Sequence, residues 1–305
     1  MSEQPPAICV SGVTKCFGDV TAVNNLDLEV PPGCLIGFLG PNGAGKTTTI
    51  RMIMSIIYAD EGSVSVLGHS ALDAKNRIGY LPEERGLYRR MRVRDLLRYI
   101  GRLKNLSRKD ADRAAAAWLE RLELPEALTR RCEELSKGQQ QKVQFTAAVL
   151  HDPELIVLDE PFSGLDPVNA ALLSGVIRDL HSEGRTIVFS THVLHQAELL
   201  CDRIFLIDRG VKLLDDNLTA IRERFRQRIV SVEVVGTCSL PSIPGTRAEH
   251  VANQPGRIDL HLDEHCDERT VMRATLDAVD VRSISRREPT LEEIFTSLVT
   301  EGATT

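Results

Sequence analysis

The sequence predicts an α/β fold with a parallel sheet at its core, followed by a separate and smaller α+β domain. Three observations predict it. Short apolar runs bounded by turn residues, CLIGFLG, LIVLDE, TIVFS and RIFLID, have the length and continuity of strands buried on both faces. Segments of helical period alternate with these runs, the pattern of parallel strands joined by crossover helices. After about residue 216 the texture changes to alternating strands and short helices, with no further run of the buried kind.

Residues 7–30 read as an antiparallel β flap: ICV, a turn at Ser11-Gly12, then Val20 to Val30 with apolar residues near period two. Pro31-Pro32-Gly33 ends it and leads into the first buried strand, and Gly45 to Ser55 follows as a helix. Apolar residues at 93, 96, 97, 100 and 103 and an alanine-rich stretch from Ala111 to Leu122 define a helical insertion over about 84–150. A helix over about 168–182 separates LIVLDE from TIVFS, and the core domain closes near Asp215, giving domains of 1–216 and 217–305. In the second domain a basic helix (IRERFRQR), strands SVEVV and RIDLHL, and a helix near 268–279 precede a last helix, for which Thr290 and Glu293 form a capping box.

A chain of 305 residues is long enough for two cores. Its 42% hydrophobic and 26% charged content is that of a soluble globular protein. No apolar run approaches the roughly 20 residues of a membrane-spanning helix, and MSEQPPAICV lacks the regions of a signal peptide. The expected location is therefore cytoplasmic. The seven cysteines (9, 16, 34, 132, 201, 238 and 266) are odd in number and never spaced CxxC, which disfavours disulfides and zinc. A net charge of −6 offers no global attraction to a polyanion, so no nucleic-acid partner is expected.

Gly40-Pro41-Asn42-Gly43-Ala44-Gly45-Lys46-Thr47 matches GxxxxGK[ST] between an expected strand and an expected helix. Glycines let the backbone curl so that its N–H groups and the helix N-terminus, through Thr48, face a phosphate. Lys46 is placed to reach the β/γ-phosphates and the Thr47 hydroxyl to ligate Mg²⁺. Asp159 ends the apolar strand LIVLDE, where a carboxylate can hold the Mg²⁺ shell beside that loop. Glu160 follows directly. Side chains alternate along a strand, so the two acids cannot share one task, and Glu160 is placed to polarise an attacking water. Together these motifs show only a P-loop NTPase, which takes a nucleoside triphosphate and Mg²⁺.

Between the P-loop and Asp159 stands Leu135-Ser136-Lys137-Gly138-Gln139, and the chain here resembles the ATP-binding-cassette (ABC) ATPases, whose signature is LSGGQ. The resemblance covers roughly residues 7–215. It implies a RecA-like core with an antiparallel β flap and a helical insertion. It also implies that Ser136, Gly138 and Gln139 close over the nucleotide of an opposite subunit, so that the cassette works as a homodimer or heterodimer. Lys137 replaces the usual glycine. The resemblance places Asp166, in Ser163-Gly164-Leu165-Asp166, in the D-loop, makes His192 the switch histidine that contacts the γ-phosphate, and gives Phe17 a stacking role against adenine. Glu83 stands where the family more often has a glutamine of the Mg²⁺ and water shell.

Leu81-Pro82-Glu83-Glu84-Arg85-Gly86-Leu87-Tyr88 and the tail Glu288-Pro289-Thr290-Leu291-Glu292-Glu293-Ile294-Phe295 resemble those of ATPase subunits of ABC-2-type exporters, the sodium- or drug-efflux group. That resemblance implies a separately encoded membrane permease docked on the helical insertion, with this chain held at the cytoplasmic face. Arginines 85, 89, 90, 92, 94, 98 and 102 form a basic stretch that reads either as a solvated helix face or as a contact for an acidic partner or anionic headgroups. The alternative function is a soluble ABC ATPase with a regulatory or nucleic-acid-linked role. A P-loop kinase would leave LSKGQ and His192 without a purpose.

Overall fold

The computed structural model describes residues 5–302, apart from 85, 237–241, 252, 253, 255 and 264. Arg85 and Cys238 lie outside the described residues. The chain divides into two compact units, Met1–Leu218 and Thr219–Thr305.

The first unit opens with β1 (Ile8–Phe17) and β2 (Val20–Val30), which pair antiparallel. The turn expected at Ser11-Gly12 is a bulge within one continuous strand. The register slips between Val10 and Val13, Gly12 takes a positive φ of 57°, and its N–H donates to Asp27 Oδ1 at 2.8 Å, so an anchored bulge replaces a chain reversal. After β3 (Leu35–Leu39) and α1 (Lys46–Ile53), β4 (Glu61–Val66) completes a three-stranded flap in the order β2-β1-β4.

The main sheet continues with β5 (Ile78–Leu81) and passes to the helical insertion: α2 (Val93–Leu103), α3 (Arg108–Arg121) and α4 (Lys137–Val149). Val93, Leu96 and Leu97 of α2 pack with Ala115 and Leu119 of α3 and Val143 of α4 in a core separate from that of the sheet. Ser107 caps α3 by accepting from the Asp110 N–H. Arg98 is clamped by Asp112, with Nε and Nη2 each 2.9 Å from a carboxylate oxygen, which takes it out of the solvated basic stretch.

Then follow β6 (Leu155–Asp159), α5 (Pro167–Ser182), β7 (Thr186–Thr191), α6 (Leu194–Leu200), β8 (Arg203–Asp208) and β9 (Val211–Asn217). The sheet order is β5-β6-β7-β3-β8-β9, parallel except for β9, an antiparallel edge strand. Strands β3, β6 and β7 are buried at every position, as their unbroken apolar runs require.

Where the insertion meets the sheet, the Ile78 carbonyl accepts from Lys104 Nζ at 2.9 Å and from His151 Nε2 at 3.0 Å. Burial, with the Lys104 cation beside it, pulls the imidazole down to about 4. The native ring therefore stays neutral while the unfolded one protonates below about 6.5. Stability contributed by the neutral ring is present above pH 6.5 and is lost as pH falls toward 4. The gap corresponds to roughly 3 kcal/mol, and solvent screening of the partly exposed ring reduces the expected effect to about 1–2 kcal/mol. Urea unfolding at pH 7.5 and 5 measures it: His151→Gln should lose less stability on acidification than the parent.

The second unit contains α7 (Leu218–Arg224, whose first residue closes the first unit), β10 (Ile229–Val234), β11 (Thr246–His250), β12 (Arg257–Leu262), α8 (Glu268–Ala278), β13 (Val281–Arg287) and α9 (Leu291–Gly302). Its antiparallel sheet runs β11-β12-β10-β13, with Val230, Val232, Ile258 and Leu260 on the face that meets Val271 of α8. Thr290 and Glu293 cap α9 reciprocally: the Thr290 N–H donates to Glu293 Oε2 at 2.8 Å and the Glu293 N–H to Thr290 Oγ1 at 3.3 Å.

Candidate functional site

Adjacent parallel strands end in register, and this gathers the site. Leu39 of β3 lies opposite Thr191 of β7, and Asp159 of β6 opposite Ser190. The loop after β3, the acids at the end of β6 and His192 beyond β7 therefore leave the sheet along one edge, where ligands of open α/β sheets bind.

The loop's glycines are required individually. Gly40, Gly43 and Gly45 have φ of 154°, 80° and 103°. A Cβ on Gly40 would stand 2.2 Å from the Ile207 carbonyl oxygen, and one on Gly45 would stand 2.6 Å from that of Ala22. Gly45 precedes α1 and supplies no side-chain cap, so the first amides of that helix remain available to an anion. Lys46 is buried and its Nζ donates to the carbonyls of Gly40 at 2.7 Å and Pro41 at 3.1 Å. Burial lowers its pKa, opposed by the carboxylates of Glu160, Asp159 and Glu83.

Two of those carboxylates flank the Thr47 hydroxyl, which lies 3.3 Å from Glu83 Oε2 and 3.5 Å from Asp159 Oδ1. Asp159 is fully buried; its Oδ1 also accepts from Ser190 Oγ, while its Oδ2 has no hydrogen-bond partner among the described residues. Burial raises the pKa of Asp159, and the neighbouring Glu83 and Glu160 add to the rise against the hydroxyls of Ser190 and Thr47.

Glu160 sits in the left-handed region at φ 51°, uncommon for a residue with a side chain. Its N–H donates to Ser190, with the carbonyl at 3.2 Å and Oγ at 3.1 Å, and its Oε1 lies 2.9 Å from His192 Nδ1. The carboxylate is largely enclosed, at 12% exposure, whereas the imidazole is open, at 54%.

Asn42, Gly43, Gly45, Lys46, Thr47 and Thr48 line one cleft together with Ala22, Glu83 and Glu160. Phe17, Gly40, Pro41, Ala44, Ser136, Gly138, Gln139, Asp159, Asp166 and His192 are not among its lining residues. Phe17 is half-exposed, with Lys15 Nζ 5.4 Å from its ring centre. Ser136 and Gln139 form a capping box on α4, the Ser136 N–H donating to Gln139 Oε1 at 3.0 Å and the Gln139 N–H to Ser136 Oγ at 3.2 Å. The Gln139 side chain thus also closes the first turn of its own helix. Asp166 is likewise engaged as the cap of α5, accepting from the Asn169 N–H at 2.9 Å and from Asn169 Nδ2 at 2.6 Å. Lys137 is exposed in the first turn of α4. A Cβ on Gly138 would meet Leu165 Cδ2 at 3.4 Å, so the signature and the segment before Asp166 touch within one chain. Ser190, to which no sequence motif assigns a role, bridges Asp159 and the Glu160 amide. Its place in Ser190-Thr191-His192, two residues before the histidine, was the available signal.

A glycine loop, a buried lysine, a hydroxyl between carboxylates and a Glu–His pair on one sheet edge define a nucleotide-hydrolysing P-loop protein. The ABC transporter family model matches residues 23–163, and the model of the C-terminal domain of DrrA1-3-like ATP-binding proteins matches residues 217–299. The chain belongs to the ATP-binding proteins of ABC transporters, the ATPases that power transport. It is 46% identical to an uncharacterized ABC transporter ATP-binding protein, YhaQ, of Bacillus subtilis, over 74% of this chain and 76% of that one. It is 30% identical to the Nod factor export ATP-binding protein I of Rhizobium meliloti, over 96% of this chain and 88% of that one. Among solved structures it is similar to the ATP-binding subunit of an ABC transporter, at a TM-score of 0.67 and 29% identity, over 72% of this chain and 93% of that one.

Proposed function

We propose that this chain is the ATP-hydrolysing subunit of an ABC-2-type exporter, that two cassettes close on ATP, and that their closure moves a separate membrane permease at the cytoplasmic face. The observation that carries the dimer is the LSKGQ signature at 135–139, inside the segment that matches the ABC transporter family, where Ser136 and Gly138 stand as in cassettes that close over each other's nucleotide. The export reading is supported by the near full-length likeness to a Nod factor export ATP-binding protein. No described helix is long and apolar enough to cross a membrane, in keeping with a permease supplied by another chain.

In this reading the loop amides and Lys46 hold the β- and γ-phosphates, Phe17 stacks on adenine, and Ser136 and Gly138 face the partner's γ-phosphate near Asp166. Thr47, Asp159 and Glu83 would hold Mg²⁺. The hard oxygen donors, and the buried Asp159 Oδ2 without a partner, fit that ion. Mg²⁺ supplies charge neutralisation on the transferring phosphoryl group. Glu160 orients the attacking water, and His192 holds Glu160 in place and reaches the γ-phosphate. Thr47→Val is expected to raise the Mg²⁺ concentration for half-maximal hydrolysis by about tenfold or more, since it removes one ligand while leaving the loop intact. Titrating Mg²⁺ at fixed ATP measures this.

The function is tested by isolating the full chain from membranes of its host. Co-purification with a multispanning protein and Mg-ATPase activity in the complex are the expected results. Recovery only from the soluble fraction, bound to RNA, would instead support the regulatory or nucleic-acid-linked role.

A further inference from the structure

Helix α4 does two things that belong to different sites. Its N-terminus carries Ser136 and Gly138, which the dimer reading above assigns to the partner's nucleotide. About 7.5 Å further along the helix axis it buries Gln141, 3% exposed, against the chain's own site. Gln141 Nε2 donates to two successive carbonyls, that of Pro161 at 2.9 Å and that of Glu160 at 3.4 Å.

Three residues on, and so on the same side of the helix, the buried Gln144 donates its Nε2 to the Glu84 carbonyl at 3.3 Å, next to Glu83. The backbone of Glu160 is therefore gripped from both ends: its N–H by Ser190 of β7 and its C=O by Gln141 of α4. It needs such a grip, because a left-handed glutamate costs of order 1–3 kcal/mol and persists only where its surroundings enforce it.

We infer that Gln141 is a positioning residue that ties the signature helix to the same chain's Glu160, so that seating of Ser136 and Gly138 on one nucleotide adjusts the hydrolytic geometry at the other. The inference rests on the dimer reading. It turns the two composite sites into a coupled pair, with α4 as a rigid strut between them.

The test is Mg-ATP hydrolysis by the full chain. Gln141→Leu keeps the volume and removes both donated hydrogen bonds. Its kcat is expected to fall by about 10- to 100-fold, as a displaced catalytic group implies, with KM for ATP changed by less than about threefold and the Hill coefficient for ATP moving toward 1. Gln141→Glu adds a readout that loss of packing would not produce. An ionised carboxylate would face two carbonyls, whereas its protonated form regains one donor. The activity of this variant relative to the parent should therefore rise as pH falls from about 8 to about 6.

Unchanged kcat and Hill coefficient in Gln141→Leu, or a flat activity ratio across pH in Gln141→Glu, would overturn the inference. So would a fall in ATP affinity and thermal stability in step with kcat. Glu160→Gln run in parallel separates the two claims: if it turns over normally the reading of the site fails, and if it is inactive while Gln141→Leu is normal only the coupling fails.

Discussion

Glu160→Gln is expected to lower ATP turnover by about 10²- to 10⁴-fold, the usual contribution of a positioned general base, while leaving ATP affinity nearly unchanged. The reason is in the geometry: Glu160 reaches the cleft but does not hold the loop, which rests on Lys46 and the glycines. Glutamine keeps the size and one carbonyl oxygen for His192 but cannot accept a proton from water. With hydrolysis blocked and binding intact, the ATP-bound closed dimer should accumulate. Size-exclusion chromatography with Mg-ATP reads this directly. A variant that turns over normally and stays monomeric would remove both Glu160 from its role and the dimer from the mechanism.

The second large effect is structural. Gly40→Ala places a methyl group 2.2 Å from the Ile207 carbonyl oxygen, at a φ of 154°. The obstacle is backbone of β8, one of the two neighbours of β3, so a side-chain rotation cannot relieve it. Either the loop moves off the sheet edge or the strand gives way. A cost of about 3 kcal/mol or more follows from overpacking combined with backbone strain. Unfolding by urea should show it, together with loss of nucleotide binding. Gly43→Ala is the control: nothing lies within 4 Å of its Cβ position, so only its φ of 80° opposes the change.

How much was legible in the sequence follows from how each element is stabilised. The buried strands β3, β6, β7 and β8 announce themselves as apolar runs because water reaches neither face. Strands β11 (TRAEH) and β13 (VRSISRR) carry few apolar residues and exist by pairing with β12 and β10, an interaction that no local pattern records. The bulge at Gly12 read as a turn for a similar reason, since its anchor, Asp27, lies 15 residues away. In the site, spacing exposed Lys46, Thr47, Asp159 and His192 because their chemistry is written in short motifs. The roles of Ser190 and Gln141 depend on which carbonyl or amide lies opposite, and register and helix packing decide that. Gln139 was readable in both ways, as a signature residue and as the fourth member of an S-x-x-Q capping box; the capping geometry is what its side chain adopts.

Lys46 rests on the carbonyls of Gly40 and Pro41, and this bears on what a nucleotide meets on arrival. The ammonium has already given up much of its water to the loop, so phosphate binding is an exchange of partners and not a fresh dehydration. The same cation acts as a keystone for the loop. An uncharged side chain of equal length would lose its hold on phosphate and would also leave the Gly40 and Pro41 carbonyls without their charged donor, slackening the cradle.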